Sequence, residues 1–105
     1  MSDDNALKTI RTTVLGFLPD AKVLLFGSRA RGNYNPHSDY DILVITPHFI
    51  LPEEKINWRG KIHKALVKAL HAPFDVLLNS EAEIEVKKNL PGHTVRSAMK
   101  EGVFI

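Results

Sequence analysis

The run Lys22-Val23-Leu24-Leu25-Phe26-Gly27-Ser28-Arg29-Ala30-Arg31-Gly32, followed shortly by Ser38-Asp39-Tyr40-Asp41-Ile42-Leu43-Val44-Ile45, decides the architecture. Lys22 to Phe26 is a short apolar segment closed by Gly27, the pattern of a strand buried on both faces. Residues 29 to 37 are rich in Gly, Asn and Pro and predict a loop, with one helical turn near Ser28 to Arg31. Tyr40 to Ile45 returns as a second central strand, stopped by Thr46-Pro47. Two aspartates, Asp39 and Asp41, stand at its entrance. Residues two apart on a strand share a face, so these carboxylates converge beside a segment that should be buried. Each raises the pKa of the other, and desolvation raises both, unless a cation compensates. For a cluster of hard oxygen ligands that cation is magnesium or manganese.

Upstream, Ala6, Leu7, Ile10, Val14, Leu15 and Leu18 recur at helical spacing, with Asp4 or Asn5 as the expected cap and Pro19-Asp20 as the stop. Downstream, Ile56, Ile62, Ala65, Leu66, Ala69 and Leu70 mark a long amphipathic helix from about Pro52 to His71, weakened in its middle by Gly60. Ala72-Pro73 breaks it, and Phe74-Asp75-Val76-Leu77-Leu78 predicts a third strand ending at Asn79-Ser80. Ser80 with Glu83 is a capping box for a helix over about Glu81 to Lys88. After Pro91-Gly92, His93 to Glu101 predicts a last helix stopped by Gly102. The order is that of one small α/β (α+β) domain spanning residues 1–105, a mixed sheet with flanking helices.

Asp75 is the lone charge in its apolar strand. If that strand lies beside the second, Asp75 completes a three-carboxylate cluster. Such a set can hold two divalent ions about 3.5–4 Å apart, which suits an in-line displacement at phosphorus. Gly27 to Gly32 then supplies a phosphate cradle. Gly27 allows close backbone approach, the Ser28 hydroxyl and nearby amides donate hydrogen bonds, and Arg29 and Arg31 add positive charge. The loop lacks the Gly-Lys-Ser/Thr ending of a Walker A sequence and is not a GxGxxG fingerprint, so kinase and dinucleotide folds are poorly supported.

The 105 residues carry 44% hydrophobic and 25% charged side chains and a formal net charge of +2, an ordinary globular composition whose charge alone selects no partner. With no cysteine there is no disulfide framework or thiolate zinc site, which suits a reducing cytoplasm. The acidic start and the lack of a long apolar run argue against secretion and membrane insertion. No two of the five histidines lie three or four residues apart, so a helical zinc site is not expected. Trp58 and Phe49 read as packing residues. Lys61, Lys64 and Lys68 read as a solvated helix face, and direct nucleic-acid binding is not expected.

Gly27-Ser28-Arg29-Ala30-Arg31-Gly32, then Ser38-Asp39-Tyr40-Asp41, then Asp75 resemble the DNA polymerase β-like nucleotidyltransferase superfamily, in the form of the minimal nucleotidyltransferases of prokaryotes. The resemblance is clear from Val23 to Leu78. It implies that Asp39 and Asp41 bind both of two Mg2+ (or Mn2+) ions, and that Asp75 binds one and helps deprotonate the attacking hydroxyl. Gly27 and Ser28 would hold the triphosphate of ATP. Arg29, Arg31 and Ser38 fall with the nucleotide-binding residues, with no separate role fixed for either arginine. The resemblance also implies a cytoplasmic antitoxin that transfers AMP to a tyrosine of a HEPN-domain toxin. Two alternatives stay open: an antitoxin acting by binding alone, and transfer to a small molecule or an RNA end. Val103-Phe104-Ile105 belongs either to a partner interface or to the chain's own core.

Overall fold

The computed structural model describes residues 2–105, with side chains from residue 4 onward. Its elements, in chain order, are α1 (Ser2–Phe17), β1 (Lys22–Phe26), α2 (Gly27–Arg31), β2 (Tyr40–Thr46), α3 (Pro52–Leu70), β3 (Phe74–Ser80), α4 (Glu81–Lys87), α5 (Thr94–Glu101) and β4 (Val103–Phe104). The strands form one mixed sheet in the order β3-β2-β1-β4. β1 is antiparallel to both β2 and β4, whereas β2 and β3 are parallel, with α3 as the crossover between them.

Alternation along the strands creates two cores. Val23 and Leu25 of β1, Tyr40, Ile42 and Val44 of β2, and Phe74, Val76 and Leu78 of β3 face α1 and α3, where Ile10, Val14, Ile62 and Leu66 meet them. Leu24, Phe26, Leu43 and Ile45 face the other way, against Ile84 of α4 and Val95 and Ala98 of α5. The central strands are therefore apolar on both sides, as a sheet covered on both faces requires. Trp58 packs against the first core and meets Phe17 edge to face at 6.4 Å.

Several boundaries differ from expectation. Asp4 and Asn5 do not cap α1 but lie within it, because the helix starts at Ser2. In the first turn the carboxylate of Asp4 still suits the helix dipole. His93 is the N-cap of α5, its Nδ1 accepting from the Val95 amide at 3.1 Å, rather than its first residue. Ile56 and Phe49 were expected to pack and are instead 64% and 61% exposed. Ile56 sits near the start of α3, a turn and a half before the helix reaches the core at Ile62. The unforeseen element is β4. Gly102 ends α5 with its amide on the Ala98 carbonyl at 2.7 Å, and a Cβ there would overlap the side chain of Leu24, so only glycine lets the chain turn this closely over β1. Ile105 then packs on the first core and bonds the Val23 carbonyl at 3.0 Å, while Val103 and Phe104 stay exposed.

The capping box of α4 is present in full: Ser80 Oγ accepts from the Glu83 amide at 3.3 Å and Glu83 accepts from the Ser80 amide at 2.9 Å. Lys55 of α3 reaches the same Glu83 at 2.7 Å, tying the two helical layers together past the end of β3. Burial alone would raise the Glu83 pKa, but the hydrogen bonds from Lys55 and Ser80 and the charge of Lys55 outweigh it and hold the carboxyl below its ordinary 4.5. A depressed folded-state value stabilises the fold above 4.5 and is lost as the pH falls through the lower value. Ser80→Ala should therefore cost about 1 kcal/mol in urea denaturation. Glu83→Gln should destabilise at pH 7 and converge on the wild type as the pH drops below the ordinary carboxylate range.

Candidate active site

The carboxylates lie on the α4–α5 side of the sheet, at the end where β1 finishes and β2 and β3 begin. The parallel register sets Asp41 directly opposite Asp75, and the antiparallel register sets Phe26, the residue before Gly27, opposite Asp41. Asp39, two residues before Asp41, precedes the first residue of β2. The helical cover does not reach this far: Asp39 and Asp75 are exposed and Asp41 is half-buried. The condition posed by the sequence, that β3 lie beside β2, is met.

The electrostatics follow from this placement. Burial raises the pKa of Asp41, and the charges of Asp75 and then Asp39 raise it further. Arg31 acts in the opposite direction, and Glu101 adds to the rise. Among the described residues no three His, Asp or Glu side chains are closed round a common point as a finished ligand set. The donor set, all carboxylate oxygen and half open to solvent, fits a hard divalent ion such as Mg2+ or Mn2+.

Gly27 has a steric role beyond the one read in the sequence. It adopts φ +73°, and a Cβ placed on it would overlap the Asp41 carboxylate. The glycine thus makes room for the acid as well as permitting the sharp exit from β1. Ser28 follows in the first turn of α2. Phe26, the residue before that turn, supplies no capping side chain, so its leading amides are left to solvent or to an anion. Arg31, at the end of α2, points to the carboxylate side and pairs with Glu101 at 2.9 Å.

Arg29 and Ser38 are placed otherwise. The Arg29 guanidinium stacks over Tyr40 at 3.9 Å and lies 4.7 Å from the Tyr34 ring centre. It donates to the carbonyls of Ser38 at 3.1 Å and Pro36 at 3.4 Å. Tyr40 faces the α1–α3 core, opposite to Asp41, so this arginine braces the loop carrying Asp39 from behind the site. Ser38 closes the same loop, its hydroxyl accepting from the Asn35 amide at 3.1 Å. Glu101 and Tyr34 had not been singled out in the sequence. Aromatic residues flanking an arginine-bearing loop are a faint signal for Tyr34, and nothing local marks Glu101, 60 positions beyond Asp41.

A groove of about 490 Å³ runs along the free edge of β3 beneath α3, lined by Asp75, Leu77, Ile56, Arg59 and His63. Two other hollows, of about 410 and 370 Å³, flank Phe104 at the opposite edge of the sheet and contain none of Asp39, Asp41 and Asp75.

Residues 7–105 match the family profile described as a nucleotidyltransferase domain. The chain belongs to this family. No curated protein matches it. Among solved structures, the nucleotidyltransferase domain is similar to a toxin–antitoxin crystallised with AMP-PNP, at 20% identity and a TM-score of 0.68 over 93% of this chain and 70% of the other. It is similar also to the complex of a tri-AMPylated HEPN toxin with its MNT antitoxin from Shewanella oneidensis, at 15% identity and a TM-score of 0.63 over 96% and 69%. A protein from Sulfolobus solfataricus with a provisional nucleotidyltransferase assignment matches at 26% identity and a TM-score of 0.57 over 95% and 76%. These likenesses carry the polymerase β-like fold. Among the described residues no helix is long and apolar enough to cross a membrane.

Two outcomes test the geometry. A raised folded-state pKa means that protonated Asp41 favours the fold, a contribution present below 3.8 and lost as the pH rises through the folded value. Asp41→Asn should then melt higher than the wild type at pH 7, by about 2–4 °C for a screened, half-exposed cluster, and the gain should vanish on acidification. Gly27→Ala should cost about 1–2 kcal/mol for the left-handed backbone alone, read by denaturation, and should abolish any stabilisation by Mg2+ because the Asp41 carboxylate is displaced.

Proposed function

We propose that this nucleotidyltransferase domain transfers AMP from ATP to a hydroxyl of a protein acceptor, a tyrosine of a HEPN-type toxin, and serves as its cytoplasmic antitoxin. The observation that carries the reading is the Asp41–Asp75 juxtaposition across parallel strands, with Asp39 near enough for its charge to act on Asp41. In this reading Asp39, Asp41 and Asp75 hold the divalent ions, Mg2+ or Mn2+, which when bound neutralise the phosphate oxygens and polarise the α-phosphorus. Gly27, Ser28 and the leading amides of α2 receive the triphosphate, and Arg31 adds a guanidinium to it. Asp75 accepts the proton of the acceptor hydroxyl. That oxygen forms a new bond to the α-phosphorus, the bond from that phosphorus to the bridging oxygen breaks, and pyrophosphate leaves with the electron pair. Arg29 and Ser38 act from behind by fixing the loop that carries Asp39.

The acceptor assignment is supported by the company this fold keeps, a tri-AMPylated HEPN toxin bound to its antitoxin and a toxin–antitoxin pair with a nucleotide analogue. The groove beside Asp75 gives a polypeptide room to approach that carboxylate from the free side of the sheet. Incubation with α-labelled ATP, Mg2+ and a HEPN partner should label the partner. Asp39→Ala and Asp41→Ala should abolish the label, and Asp75→Asn should slow labelling by about 100-fold or more, as loss of a general base does. Undiminished labelling in these variants refutes the mechanism. Neutralisation of the toxin that survives them would instead identify an antitoxin acting by binding alone.

A further inference from the structure

Arg31 stands between two destinations. It is the last residue of α2, the turn that starts at Gly27 against the Asp41 carboxylate, and its charge acts on Asp41. Yet its hydrogen-bonded partner is Glu101, the last residue of α5, with Nη1 to Oε1 at 2.9 Å. The other acid on which its charge acts is Asp41, a member of the cluster. A guanidinium beside an uncompensated trio of carboxylates would ordinarily fall onto them, since a bidentate pair with a carboxylate is its strongest contact. There it would occupy the place of the metal.

We infer that Glu101 parks Arg31 off the carboxylate cluster, leaving the acids open to a divalent ion and the guanidinium free to turn to the triphosphate. Glu101 is thus a positioning residue, acting through Arg31. The inference rests on the metal-site reading above and adds a partner to it from the far end of the chain. α5 is suited to the task. It is anchored in the second core by Val95 and Ala98, and it ends at Gly102, locked over Leu24. The carboxylate therefore projects from a fixed support, while the pair itself, about half exposed on the arginine side, can exchange partners at little cost.

The alternative is that Glu101 only adds negative charge to the neighbourhood, and binding of Mn2+ alone, with free ion read by electron paramagnetic resonance, separates the two. Parking predicts that Glu101→Gln weakens Mn2+ binding by about fivefold in the wild-type background, a coupling usual for residues in contact. In an Arg31→Gln background the same change should shift binding by less than about twofold, because there is no guanidinium left to intrude. Glu101→Asp, which keeps the charge but shortens the reach, should lie between wild type and Glu101→Gln. Equal weakening in both backgrounds, or an Asp variant indistinguishable from wild type, overturns the parking role while leaving the metal site intact. Failure of the wild type to bind Mn2+ overturns the metal site, and the parking role with it. Because an exposed ion pair contributes little to stability, melting temperatures should stay near the wild-type value and certify that the variants are folded.

Discussion

Everything at the site depends on the parallel pairing of β2 with β3. Parallel neighbours need a crossover, and α3 supplies it by running back over the α1–α3 core before Phe74 enters the sheet beside Tyr40. The stacking of Tyr40 on Phe74, with ring centres 5.0 Å apart, pins that register on the core side. Because side chains alternate, the same register places Asp41 opposite Asp75 on the reverse side. A slip of one residue would send one acid into the apolar core and dissolve the cluster. The hydrophobic pairing on one face thus holds together charges that repel on the other.

Around that pairing the protein divides its labour between the two faces of the sheet. Arg29, Tyr34, Ser38 and Asn35 build a scaffold behind β2, with a guanidinium wedged over Tyr40 and tied to loop carbonyls. Gly27, Ser28, Arg31 and Glu101 belong to the front. Two arginines separated by one alanine therefore make unrelated contacts, one stacked on Tyr40 and tied to loop carbonyls, the other paired with Glu101. Motif matching treats them as equivalent because a short helical turn, invisible to any alignment of letters, rotates one away from the other.

The sequence was most readable where pattern and chemistry were local. β1 is found at its expected limits, and the Ser80–Glu83 box is fully formed. The lone Asp75 drew attention as a charge in an apolar strand; in the structure it is exposed on the edge strand β3, opposite Asp41. What stayed hidden was long-range or short. β4 spans only two residues, too few for any periodicity, and its existence hangs on the space that Gly102 leaves over Leu24. A second reason for Gly27 was hidden: the nearest claimant on its missing Cβ is the side chain of Asp41, which arrives from another strand. Glu101 could not be foreseen because only folding brings α5 to α2. Ile56 and Phe49 show the reverse failure, apolar letters that the fold leaves in water.

β3 is also the border of the sheet, and a border strand with free backbone amides and carbonyls invites a foreign strand to join. Val76 and Leu78 are buried in the first core, so the invitation comes from the backbone and the half-buried Leu77. The exposed acid at position 75 charges the entrance to this edge, and a charge on a border strand opposes intermolecular sheet growth. Replacing that charge with an apolar residue would leave the border unguarded, and insolubility of such a protein would then report on the edge rather than on the chemistry.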